Sequence, residues 1–205
     1  MFPDTNTKNL SFVLTVLALI SILLLEQRYA LIFQYNRAAI MEGEYWRIVT
    51  CHFVHSGWVH LFMNSLGFVL IIGLFVHLYS PFIWLMGTLY CMIGISLSFL
   101  IFCPTLEWYN GLSGLLHALL LMGIIGELNG GNKFYYFGLF GIIGKLVMDY
   151  FAGSPELTSR LTKTLVVTAA HFSGMLVGGV TGCIIIYTPK ILPGKSIETA
   201  VEPVV

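Results

Sequence analysis

The chain has 205 residues, of which 57% are hydrophobic and only 10% charged, and its mean hydropathy is +0.86. Soluble domains carry about 25% charged residues, so the composition belongs to a membrane protein. Formal net charge is zero and there is no basic tract, which argues against nucleic acid as a partner. Cys51, Cys91, Cys103 and Cys183 show no paired spacing and lie mostly within apolar runs. They read as small hydrophobic side chains rather than a disulfide or zinc framework, and no metal is expected.

Crossing a bilayer as a helix takes roughly 20 apolar residues. Six candidate spans follow along the chain: 10–25, 59–79, 82–102, 113–126, 134–151 and 168–188. The first is kept as a span because the charged, aromatic "EQRYALIFQY" follows it in place of a small-residue cleavage site. The expected organisation is a short tail over 1–9, one membrane domain over 10–188, and a polar tail over 189–205 whose composition suits disorder. No soluble domain is left over. The fold class is all-α: a six-transmembrane-helix bundle. Lys8, Lys133, Lys190 and Lys195 fall on one side, and Arg28, Arg37, Arg47, Arg160 and Lys163 on the other. The positive-inside rule does not separate two such sets.

The first connection, Glu26 to Trp58, contains "MEGEYWRIVTCHFVHSGWVH". Interleaved aromatics and charges of this kind suit the headgroup region, where Trp and Tyr settle and Arg reaches phosphates, so a partly embedded loop is expected. The fourth span is anomalous. From Ser113 to Gly126 it has fourteen residues, too few for a core about 30 Å thick at 1.5 Å per residue. A short span is tolerated where one end lies inside the protein beside a water-filled cavity. Ser113 is then expected below the membrane surface, at a helix N-terminus with free N–H groups.

Polar side chains inside spans are costly and so carry information. His60 and Asn64 share one face of the second span, as Ser113 and His117 do on the fourth. On the sixth, Ala170, Gly174, Gly178 and Gly182 recur every four residues, a ridge that admits another backbone at close range. His171 lies beside that ridge. Each feature alone has a plain packing explanation. Together, a nucleophile candidate, a base candidate on a close-packing helix and a donor pair on a third helix are the parts for acyl transfer. Lys145 and Asp149, four apart on the fifth span, read as an intrahelical ion pair near the interface, with a substrate-gating role as the alternative.

"HSGWVHLFMN" with His60 and Asn64, "GLSG" with Ser113 and "AHFSGMLVG" with His171 resemble the three signature elements of rhomboid intramembrane serine proteases, in the family's order. "EYWR", with Trp46 and Arg47, resembles the Trp-Arg of that family's first loop, and His55 falls in step. The resemblance implies a rhomboid-like bundle with a short central fourth helix. It makes Ser113 the nucleophile and His171 the general base of a Ser–His dyad, with no cofactor. His60, Asn64 and the backbone N–H of Ser113 would hold the oxyanion. Gly111 and Gly114 would permit the sharp turn, and Gly174 and Gly178 would seat His171. Where many family members have a tyrosine packed on the histidine, this chain has His117, which either supports His171 or is itself the base. "GLSGLLHALL" is similar to the bacterial rhombosortase subgroup. That similarity implies a multi-pass inner-membrane enzyme opening to the periplasmic side. Its partners would be the lipid bilayer and membrane-anchored proteins with a transmembrane helix, cut at Gly-Gly-type C-terminal anchors. Two other classes compete: a rhomboid-like non-catalytic protein that binds membrane helices, and a transporter or haem-binding protein using the six histidines, His77 among them.

Overall fold

A computed structural model describes residues 17, 21, 27–152 and 168–188. The first candidate span, apart from Leu17 and Ser21, lies outside the described residues, as do both tails and the connection over 153–167. The protein is mostly helical. Short elements come first: α1 (Gln27–Phe33), β1 (Tyr35–Asn36), α2 (Arg37–Met41) and α3 (Arg47–Thr50). Then come α4 (Trp58–Phe75, continued by a 3-10 turn to Leu78), α5 (Pro81–Phe102), β2 (Trp108–Tyr109), α6 (Ser113–Asn129), α7 (Tyr135–Ala152) and α8 (Thr168–Tyr187). Among the described residues, Trp58–Leu78, Pro81–Phe102 and Thr168–Tyr187 are long and apolar enough to cross a membrane, and Ser113–Asn129 is a shorter apolar helix.

Each long helix turns one stripe inward. On α4 this is Leu61, Asn64, Phe68, Ile71, Ile72 and Phe75, while Phe62, Leu66, Val69 and Leu70 stay exposed. The outward residues are as apolar as the inward ones, as lipid contact requires. Ser80 caps α5 by accepting from the Ile83 N–H, and Pro81 stands in its first turn, where its missing N–H costs nothing. α6 is the hub. It packs against α4, α5, α7 and α8, and Leu115, Ala118, Leu119 and Met122 are wholly buried on it.

α6 runs past Gly126 to Asn129, further than the apolar run suggests. The extension is held by polar contacts. The His77 imidazole hydrogen-bonds Glu127 Oε1 at 2.9 Å. Asn132 donates to Glu127 Oε2 at 3.0 Å and, through its backbone, to the Glu127 carbonyl at 3.0 Å. Glu127 is buried, so these donors satisfy a carboxylate that the sequence pattern reads as a helix end. Even so, seventeen residues rise only about 25 Å.

The first connection is built rather than loose. Arg47 is buried. It donates from Nη1 to the carbonyls of Leu31 at 2.8 Å and Gln34 at 2.9 Å, and from Nε to Glu44 at 2.5 Å. Its guanidinium therefore ties the end of α1 to α3 instead of reaching out to phosphates, because the free carbonyls of a short helix are nearer acceptors. Arg37 similarly donates to the last carbonyls of α5, at Phe99 and Leu100. β1 pairs antiparallel with β2, Tyr35 opposite Tyr109 and Asn36 opposite Trp108. The four cysteines are free, with Cys51 and Cys91 buried and Cys183 exposed.

Ala170, Gly174, Gly178 and Gly182 of α8 lie along α6. A Cβ added to Gly174 would run into the Gly114 carbonyl, and one added to Gly178 into the Ala118 backbone. This is close packing of the small-xxx-small kind. Gly178→Ala is expected to destabilise the fold by roughly 1–3 kcal/mol through overpacking. Gly73→Ala, where no atom lies within 4 Å, is expected to be neutral or better; thermal unfolding in detergent compares the two.

His52 gives a pH prediction. It is fully buried, its Nε2–H donates to the Met92 carbonyl at 3.0 Å, and burial lowers its pKa from 6.5 to about 4. Between those values the unfolded chain binds a proton that the folded one refuses. Its stability contribution is therefore complete above pH 6.5 and is lost as pH falls toward 4, by about 1.4 kcal/mol per unit. Denaturation of wild type against His52→Gln over this range is expected to show a shallower slope in the variant.

Candidate active site

The turn that leads into α6 is fixed from several directions. The Gly111 N–H donates to the Cys51 carbonyl at 3.0 Å, and Ser56 Oγ donates to Asn110 Oδ1 at 2.8 Å. The buried Tyr109 hydroxyl donates to the Gly111 carbonyl at 2.6 Å and accepts from the Gly114 N–H at 3.3 Å. Burial pushes the Tyr109 phenol up, while hydrogen bonds with Gly114 and the Ser113 side chain act the other way. Sequence reading missed Tyr109. A tyrosine four residues before the serine reads as an interfacial aromatic, and only the fold reveals its hydroxyl beneath the turn.

Ser113 opens α6, and the preceding Leu112 supplies no side-chain cap. The first-turn N–H groups thus keep the partial positive charge of a helix N-terminus. Gly111 has φ +116°, and a Cβ there would stand 2.7 Å from His60 Cε1 and 3.5 Å from Asn64 Nδ2. The turn before Ser113 accordingly lies directly against the His60–Asn64 face of α4. Both His60 Nδ1 and Asn64 Nδ2 are buried without a hydrogen-bond partner among the described residues. His55 packs edge-on to His60 at 5.0 Å between centroids and donates from Nδ1 to the Phe53 carbonyl at 3.0 Å. Burial drives the His55 pKa down to about 3, with the neighbouring His60 adding to the shift, so this ring stays neutral.

On the other side of Ser113 stands α8. A Cβ on Gly114 would meet the Ala170 carbonyl at 2.9 Å, and Gly174 faces the Gly114 carbonyl. The neighbours of Ser113 and of His171 therefore touch through their backbones. His117 stacks on His171, with centroids 4.2 Å apart and planes 16° from parallel. The Nδ1–H of His117 donates to the Ser113 carbonyl at 2.8 Å. His117 is thus held between the first turn of α6 and the flat face of His171. Gly178, one turn beyond Gly174, lies further down the same contact, against Ala118.

Lys145 and Asp149 form the intrahelical ion pair that their spacing suggests, at 2.5 Å. The spacing did not reveal that Asp149 is buried and that His171 Nδ1 lies 3.0 Å from the same carboxylate oxygen. The missed signal was phase. Ile142, Leu146 and Asp149 are the buried residues of α7, so Asp149 ends an inward seam (i, i+4, i+7) and faces α8 rather than lipid.

The arrangement offers a hydroxyl at a helix start, two unsatisfied polar groups beside the turn before it, and an imidazole gripped by a stacked ring and a carboxylate. It has the parts of a site for nucleophilic attack on a carbonyl. The chain matches the Rhomboid domain family over residues 42–188. It is also similar to RHOMBOID-like protein 5 of Arabidopsis thaliana, 26% identical over 169 residues, which cover 76% of this chain and 48% of that protein. The chain therefore spans about half the length of that relative.

Gly111→Ala combines a disfavoured φ with a clash against the His60 ring. It is expected to cost about 1–3 kcal/mol and to displace His60. Gly57→Ala, whose added Cβ meets nothing within 4 Å, is expected to leave the unfolding temperature near that of wild type.

Proposed function

From the premise that this chain belongs to the rhomboid family, we propose that it is an intramembrane serine endopeptidase. It would cleave membrane-anchored proteins in or near a transmembrane segment, within a bundle of six spans. Ser113 Oγ attacks the scissile carbonyl carbon while His171 Nε2 takes its proton. The resulting oxyanion is met by His60, Asn64 and the Ser113 N–H. Collapse expels the amine, which takes the proton back from His171, and water then hydrolyses the acyl-enzyme by the same base. His171 rather than His117 is taken as the base: "AHFSGMLVG" sets His171 where the family carries its catalytic histidine, and the His117 ring lies flat against it as a stacking platform.

The observation that carries this reading is the backbone contact of Gly114 with Ala170 and Gly174. It sets the helix bearing Ser113 against the helix bearing His171 at the level of both residues. The likeness of "GLSGLLHALL" to rhombosortases supports a narrower proposal, substrates with a Gly-Gly-type C-terminal membrane anchor. On that proposal the protein sits in a bacterial inner membrane with its site opening to the periplasmic side.

Wild type in detergent is expected to be labelled by a serine-directed fluorophosphonate and to cut such an anchor, with the site mapped by mass. Ser113→Ala and His171→Ala lose both activities, and His117→Tyr keeps part of each. Asn64→Ala is expected to lower turnover about 10²–10³-fold. Labelling that survives in Ser113→Ala, or wild type that never labels, overturns the reading.

A further inference from the structure

Resting on the hydrolytic reading above, we propose that Asp149 is a positioning residue for His171, so that the site works as a Ser113–His171–Asp149 triad rather than a dyad. The Asp149 side chain is 1% exposed on a helix whose other faces are largely apolar and open. Tyr136, Phe137, Phe140, Val147, Met148, Tyr150 and Phe151 of α7 are all exposed. A carboxylate sealed inside a membrane protein is costly unless its partners compensate it. A helix that needed only an ion pair would hold it most cheaply where both ends reach water. Here the pair is lopsided: Lys145 is 45% exposed while its partner is sealed. The carboxylate is turned toward α8, where among the described residues it meets His171.

The geometry assigns the proton. A carboxylate oxygen accepts, so at 3.0 Å His171 Nδ1 carries the hydrogen and donates it to Asp149 Oδ2. Nε2 is left with its lone pair, the form a general base needs. Lys145 Nζ stands 3.5 Å from Nδ1; both atoms carry hydrogen, so this is a contact and not a second bond. Lys145 donates to the same Oδ2 at 2.5 Å. It neutralises the carboxylate without occupying the imidazole. His117, flat against the ring, blocks tilting, and Asp149 fixes rotation within the ring plane. The other carboxylate oxygen, Oδ1, is buried without a partner among the described residues, so stability alone does not account for the placement.

The test uses the full chain in detergent with a fluorophosphonate probe and ¹⁵N-histidine spectra. Wild type is expected to show His171 protonated at Nδ1 and bare at Nε2. Asp149→Asn keeps the shape but allows the amide to donate to Nδ1, which favours the wrong tautomer. Its maximal labelling rate is expected to fall by about 10²–10⁴-fold, with little change in the probe concentration at half-saturation or in unfolding temperature. Asp149→Glu restores at least tenfold over Asn. An Asn variant that labels at the wild-type rate while Ser113→Ala is inert overturns the triad and leaves the hydrolase reading intact. So does a loss of labelling that merely follows loss of folded protein and is not repaired by Glu. Wild type that does not label at all sinks the hydrolase reading itself.

Discussion

Everything at this site depends on two backbones coming closer than side chains ordinarily permit. Where α6 and α8 cross, Gly114 meets Ala170, Gly174 meets Gly114, and Gly178 meets Ala118. Lipid tails are as apolar as leucine, so helices in a membrane associate through close fit and polar contacts rather than through hydrophobic exclusion. A ridge of small residues is how α8 obtains that fit. The same ridge fixes the register that sets His171 beside the start of α6. Fold and chemistry share one contact, and a methyl group at the wrong glycine disturbs both.

Around that contact, polar groups are used sparingly and for stated ends. Arg47 and Arg37 spend their guanidinium groups on the free carbonyls of helix ends, which steadies the segment running from α1 to α4. That segment holds the turn before Ser113 through the β1–β2 pair and the Gly111–Cys51 bond. Tyr109 closes the turn from beneath. At the far end of α6, Glu127 with His77 and Asn132 anchors the helix terminus. That leaves His77 well away from the His52–His55–His60 group, so the histidines do not gather into one ligand set. α6 is thereby pinned at both ends, which suits a helix too short to be steadied by the bilayer.

Much of this was legible in the chain, for a physical reason. In a membrane helix the polar and small residues are the exceptions, so His60, Asn64, Ser113, His171 and the Ala170–Gly182 spacing stand out against an apolar ground. What did not show was direction. The outward and inward faces of α4 are equally apolar, so no hydrophobic period tells Phe62 from Phe68. For the same cause Asp149 read as half of an ion pair: spacing reveals its neighbour on the helix but not the helix it faces. The internal order of the first connection did not show either, because interleaved Arg and Trp suit a headgroup layer and a folded cap alike. Which one forms depends on whether free carbonyls lie within reach of Arg47. The first candidate span and the 153–167 connection lie outside the described residues and remain expectations of the sequence.

The most direct measurement is an experimental structure of the protein after reaction with a fluorophosphonate. The account predicts phosphorus bonded to Ser113 Oγ, one phosphonyl oxygen within hydrogen-bond range of Asn64 Nδ2 and the Ser113 N–H, and His171 Nε2 turned toward the adduct with Nδ1 still on Asp149. An adduct on another residue, or an oxygen pointing away from the His60–Asn64 face with His171 swung out of the α6–α8 contact, contradicts it.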